Sequence, residues 1–233
     1  MSVEYPLQAV LDLACSAQRV NKGYIKDFDG VYDKEGHLLY YIQPNKILIK
    51  HTLGAIDYHS GMDPRLKPTS VLNVLPEDRE LAEEIKKYYR KLMFSAVKGD
   101  NEFLTELNAL LNSETISPKK FAFIACLPSV YRRDYANNQI EKRVKNLDKG
   151  FLADVGETLF DLDSEIVESK RSNNFDAWNI TAIINNKLAS WFSKIDLKPG
   201  PCVVVKAKVK DHSDHWKFPN TDVTRLNYVK AAQ

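Results

Sequence analysis

The residue types best suited to chemistry in this 233-residue chain form a row of cations near its carboxyl end. Lys206, Lys208 and Lys210 alternate with Ala207 and Val209. Alternate residues of a strand share one face and lie ~6–7 Å apart. That is close to the step between phosphates along an extended nucleic-acid strand. Holding a single strand takes such cations together with flat side chains on which bases stack, worth ~1–3 kcal/mol per base. The same part of the chain supplies both. Lys187, Lys217 and Arg225 add charge, and all three tryptophans of the chain, Trp178, Trp191 and Trp216, fall here with Phe175, Phe218 and Tyr228.

Each candidate has a plainer reading beside the binding one. Trp178 alternates with Ile180, Ala182 and Ile184, so it sits either on a core face or against a base. Trp191 and Phe192 are neighbours, and one of them must face out of a two-sided strand. Tyr228 is in phase with Leu226, as a core residue would be. The lysine row also suits a solvated face that guards an edge strand. Trp216 and Phe218 lie in the polar stretch Asp211–Asn220, where a core role is harder to assign.

Other chemistry finds little support. Asp211-His212-Ser213-Asp214-His215 holds metal-ligand types at close spacing, but no Cys or distant His completes a site, and it reads as a polar turn. Cys15, Cys126 and Cys202 are scattered in apolar settings and read as buried thiols without disulfide or metal. No phosphate loop, dinucleotide fingerprint, nucleophile elbow or carboxylate pair occurs. The residues therefore predict no catalytic set, no metal and no cofactor. No run approaches the ~18 apolar residues of a membrane span. Met1–Pro6 lacks the features of a signal peptide, so the expected location is the cytoplasm. Net charge is only +2, but it is unevenly spread. Segment 119–149 has eight cations against three acids and segment 198–233 seven against three, while 77–118 is acidic on balance. Segment 119–149 reads either as plain exposed surface or as part of a phosphate footprint.

These residues need elements to position them. Leu7, Val10, Leu11, Ala14 and Ala17 recur at helical spacing and predict a helix over 7–20. Residues 24–42 read as a hairpin around Asp33-Lys34-Glu35-Gly36, and Pro44-Asn45 opens a short helix to Leu53. A loop is expected over 54–70. The clearest helix runs from Glu77 to Val97 and stops at Gly99, with acids in its first turn and a stripe through Leu81, Ile85, Tyr88 or Tyr89, and Leu92. Two more follow, near Asn101–Leu111 and from Pro118 to Leu127, the last closed by Pro128. Tyr135–Gly150 reads as a linker or an exposed helix.

After Gly150 the period changes from 3.6 to 2. Strands are expected over 155–169, 175–184, 187–192, 202–210 and 221–230. In the fourth, Val203, Val205, Ala207 and Val209 are expected to face the core, and Cys202, Val204 and the three lysines to face out. Five short strands in so few residues suit a closed barrel, which leaves no open edges. The predicted class is α+β. A mainly helical region with a small hairpin spans 1–149, and a five-stranded OB-like barrel spans 150–233.

Phe151-Leu152-Ala153-Asp154-Val155-Gly156-Glu157, Val205-Lys206-Ala207-Lys208-Val209-Lys210-Asp211-His212 and Thr224-Arg225-Leu226-Asn227-Tyr228-Val229-Lys230 resemble the terminal OB-like domain of DNA-metabolism proteins of tailed bacteriophages. Pro76–Ile85 and Ile124–Pro128 look like the helical part of the same class. Those proteins usually have a compact turn after the lysine-rich strand. Here the connection is longer and holds Trp216 and Phe218, so no contacts carry over to it. The resemblance implies a phage replication or recombination factor in the host cytoplasm that binds single-stranded DNA and has no catalytic residues. The competing expectation is a recruitment factor whose aromatics anchor a replication or recombination protein.

Overall fold

The computed structural model describes residues 3–56, 62–67, 71–95, 102–215, 217–218 and 220–232. The chain divides into two compact units, Met1–Asp134 and Tyr135–Gln233. The α+β arrangement read from the sequence is the observed one, with helices first and a closed five-stranded, OB-like barrel last.

In the first unit, α1 (Leu7–Val20) buries Leu7, Val10, Leu11, Ala14 and Ala17, the residues at helical spacing. Each large apolar side chain so buried contributes ~1.5–3 kcal/mol. The same core takes Ile49 of α2 (Asn45–Thr52), Ile85 and Tyr89 of α3 (Pro76–Ser95), and Leu107 of α4 (Glu102–Leu111). Of the two tyrosines in the α3 stripe, Tyr89 is the buried one, and its hydroxyl donates to Asp134 Oδ2 at 3.3 Å. Gly99, the expected stop of α3, lies outside the described residues. A two-residue ribbon that the sequence did not announce pairs β1 (Tyr5–Pro6) with β4 (Thr115–Ile116). The expected hairpin is β2 (Asp29–Tyr32) against β3 (Leu38–Ile42). Tyr24–Lys26 stay outside it.

The last helix corrects one expectation. Pro128 does not close it, and α5 runs from Phe121 to Val144. Proline inside a helix costs ~3 kcal/mol through its lost N–H and its ring. Burial on both sides of it, at Ile124, Leu127 and Tyr131, outweighs that cost. The end of α5 then lies under the barrel, where Val144 packs with Leu188, Phe218 and Val223.

The barrel strands are β5 (Thr158–Arg171), β6 (Trp178–Ile184), β7 (Lys187–Ser193), β8 (Gly200–Asp214) and β9 (Asp222–Ala232). They close in the order β5-β6-β7-β9-β8. All neighbours are antiparallel except β7 and β9, which are parallel. Register shifts interrupt β5 after Ile166 and the β8–β9 pair at several points, and such bulges bend long strands round a small barrel. Ile166, Ile180, Ile184, Val204, Ala207 and Val209 fill the interior. Among the described residues no helix is long and apolar enough to cross a membrane.

The faces of β8 differ from the expected ones. Cys202 and Val204 point inward and Val203 and Val205 outward, the reverse of strict alternation from Ala207. A register shift between Val204 and Lys206 changes the phase. Beyond it Ala207 and Val209 are buried and Lys206, Lys208 and Lys210 exposed. The stretch from Asp211 is also not a turn at first, since Asp211 to Asp214 continue β8 and pair with β9.

Candidate functional site

One hairpin determines which aromatic faces outward. Asn185 and Asn186, at φ 47° and 56°, make a two-residue turn of the kind that asparagine tolerates and that matches strand twist. The turn sets Ile184 opposite Lys187, and the register then carries Trp191 opposite Ile180 and Phe192 opposite Asn179. Trp191 therefore enters the core with Ile180 and is 4% exposed. Phe192 stands outside, 51% exposed. Its ring meets Phe175, from the β5–β6 loop, edge-on at 5.6 Å. That geometry suits the aromatic quadrupole while leaving both rings largely open to solvent.

Beside Phe192 an open groove of about 520 Å³ crosses the barrel wall. Its lining includes Asn179, Ser190, Phe192, Lys210, Arg225 and Tyr228. Arg225 forms an ion pair with Asp211 at 3.6 Å, and Asp214 also reaches the rim. Asn227 Oδ1, in the same wall, is buried with no hydrogen-bond donor among the described residues.

Among the described residues Tyr228 is the most exposed large hydrophobic side chain of the barrel, at 78%. Its backbone has φ 49°. A bulky residue in that left-handed region is a strained exception, at a cost of ~1–3 kcal/mol. The ladder shows the cause. Lys206 pairs with Lys230 and Lys208 with Asn227, so β9 carries one residue more than β8 across this interval. The extra residue tips the Tyr228 ring out of the core phase it shares with Leu226.

The residues singled out from sequence do not form one cluster. Lys210 and Arg225 line the groove, and Lys206 and Lys208 lie exposed further along β8. Trp178 is half-buried against the barrel core, with the Arg171 guanidinium 5.9 Å from its ring centre. Lys187 Nζ donates to the Phe151 carbonyl at 2.7 Å. Lys217 Nζ reaches Glu168 at 2.8 Å and Asn137 at 3.0 Å, so its charge is matched within the fold. Phe218 is buried and stacks on His215 at 4.7 Å. Trp216 lies outside the described residues.

Phe175 and Tyr228 are among the aromatics the sequence offers and Phe192 is the alternative to Trp191, while Asn179 enters the site with no signal in the sequence. The alternation of Ser190 and Phe192 with Ala189 and Trp191 was the available signal for Phe192. Nothing local announced the bulge at Tyr228.

The histidines of the Asp211–His215 stretch have structural partners. The His212 ring stacks on Phe151 at 3.8 Å, and Nε2 lies 2.8 Å from the Ala153 carbonyl, to which it donates. His215 Nδ1 accepts from the backbone N–H of Lys217 and of Phe218. Among the described residues no three His, Cys, Asp or Glu side chains gather to hold a metal ion. Burial pushes the Cys15 thiol up to about 12, which keeps it protonated and unreactive at neutral pH. The arrangement on the barrel wall thus offers cations, open aromatic faces and amide side chains. Groups of that kind act by charge, stacking and hydrogen bonding, and Ser190, Ser213 and Asp214 line the groove beside them.

The chain matches no known protein family, no curated protein and no solved structure.

Proposed function

We propose that this chain is a single-stranded DNA-binding protein acting in phage DNA replication or recombination. One observation carries the reading. The groove joins two cations, Lys210 and Arg225, to the exposed rings of Phe192 and Tyr228 on the outer wall of an OB-like barrel. Phosphates would lie against the cations while bases stack on the rings, which is how single strands are held without regard to sequence. A duplex keeps its bases inside the stack and offers these rings nothing.

The test is a titration of labelled single-stranded and duplex oligonucleotides by fluorescence anisotropy over a salt series. Single strands should bind more tightly, and log affinity should fall linearly with log salt as counterions are released. Equal affinity for duplex, or no binding at low salt, would sink the reading. A second reading has its own observation. The β2–β3 hairpin of the first unit exposes Tyr32, Leu39 and Tyr40, each more than half open to solvent. Apolar surface of that kind suits a protein contact, so the first unit would recruit a replication or recombination protein. Failure of all oligonucleotides to bind would favour that reading for the whole chain.

A further inference from the structure

Past the groove, the outer wall formed by β8, β9 and β5 carries a second concentration of charge and aromatic surface. Lys206 stands directly opposite Lys230 across the β8–β9 ladder, and Lys208 opposite Asn227. Like charges in direct cross-strand register repel. Yet Lys206, Lys208, Lys210 and Lys230 have no carboxylate within ion-pair distance among the described residues. Beside them on β5, Phe160 pairs with Lys206, and its ring lies 5.7 Å from Lys206 Nζ. Phe160 is 57% exposed, and Val205 is exposed next to it. The positive surface stops there, because the exposed Asp161 and Asp163 follow on the same strand.

We infer that this ridge is a second binding subsite, continuous with the groove through Lys210 and Tyr228, and that its ligand is the sugar-phosphate backbone and terminal base of the same single strand. The inference rests on the reading of the groove as a single-strand site. From Lys210 to Lys206 the strand advances ~13 Å, room for about two nucleotides. Lys206, Lys208 and Lys230 neutralise phosphates, which removes the repulsion within the lysine row. Phe160 is the last stacking platform, and the acids behind it turn the strand away. The groove and the ridge together would occupy about five or six nucleotides, within the ~4–16 usual for one OB fold.

The experiment is a length series, dT3 to dT12, titrated at low salt with the full chain and with the double variant Phe160→Ala/Lys230→Ala. Lys230→Glu alone serves as a second variant, and thermal melts check that each is folded. In the wild type, affinity should climb with length and level off near six nucleotides. In the double variant it should level off at three or four, with dT12 weakened about tenfold or more and dT3 less than about twofold. An unchanged length profile, or an equal loss at every length, overturns the ridge while leaving the groove in place. No binding at any length by the wild type sinks the groove reading instead. Sedimentation covers the other occupant: self-association of the wild type that Lys230→Glu or the double variant abolishes would make the ridge a protein interface and overturn the inference.

Discussion

The two sides of the barrel treat positive charge in opposite ways. On β5 and β7 the cations are committed within the fold. Arg171 pairs with Asp176 at 2.7 Å, and Lys187 donates to a backbone carbonyl. Near the same wall Arg143 grips Glu165 through two hydrogen bonds, of 2.8 and 2.5 Å, and Lys217 meets Glu168. On β8 and β9 four lysines stand without a carboxylate among the described residues, two of them face to face. Paired charges at a surface add little stability but cost nothing either. An unpaired row is a net cost to the fold, and its retention makes sense where an outside anion completes it. The aromatics divide in the same manner: Trp191 and Phe218 are sealed in, while Phe160, Phe192 and Tyr228 are open. On the proposed reading, stability and binding therefore fall to different residues, in one case to adjacent ones.

That division can be broken most forcefully at Trp191 and Phe192. Removing the buried indole in Trp191→Ala should cost ~3–5 kcal/mol, enough to unfold a marginal barrel. Phe192→Ala should leave the melting temperature nearly unchanged and weaken single-strand binding by roughly 5- to 100-fold, the worth of one stacked base. Chemical denaturation and anisotropy titrations read the two. Comparable destabilisation by both variants would mean that the proposed separation of roles is wrong. Next in size is Lys206→Ala/Lys208→Ala/Lys210→Ala. It should lower affinity strongly at low salt and flatten the salt slope by about 2, from three lost contacts of ~0.7 each on a single strand. Stability should hold or rise slightly as repulsion is relieved. An unchanged slope would show that these lysines touch no phosphate.

Tyr228 sharpens the comparison because its two effects have opposite signs. Glycine tolerates φ 49° without strain, so Tyr228→Gly should stabilise the barrel by up to about 1 kcal/mol. The same change removes the open ring and should weaken binding several-fold. A loss in both properties would place the tyrosine among the structural residues.

The sequence discloses some of this architecture and conceals the rest for physical reasons. Local chemistry was legible. Asn185-Asn186 marked a hairpin turn, the spacing from Leu7 to Ala17 marked α1, and alternating strands after Gly150 marked a barrel. What depended on an inserted residue or on distant partners was not. The phase change at Val205 and the bulge at Tyr228 each flip side chains with no change in composition. Pro128 has the look of a stop in sequence because the burial that sustains α5 through it comes from tertiary packing. Lys217 looked free in sequence, and its partner Glu168 lies 49 residues away. Of the site, the cations were visible as a pattern. The aromatics were visible only as a composition, since nothing local says which of two neighbouring rings faces water.

The smallest effect expected concerns pH and the sealed side of the barrel. His215 is buried, and burial lowers its imidazole from the ordinary 6.5, with Lys217 adding to the shift and Glu168 opposing it. The unfolded chain takes up a proton as pH falls through 6.5, and the folded barrel resists it. Stability is therefore full above that value and declines below it, until the native ring protonates in turn. Protonation at Nδ1 would also remove the acceptor for the N–H groups of Lys217 and Phe218, loosening the loop that presses Phe218 into the core. The melting temperature should thus drop as pH falls from 7 to 5.5. Tryptophan fluorescence reports this transition, because all three indoles belong to the barrel unit. His215→Asn keeps a side-chain acceptor near the same two N–H groups but does not titrate, so its melting temperature should lose less over that interval. An equal drop in both proteins would assign the acid sensitivity to other groups and detach it from the loop that seals the barrel.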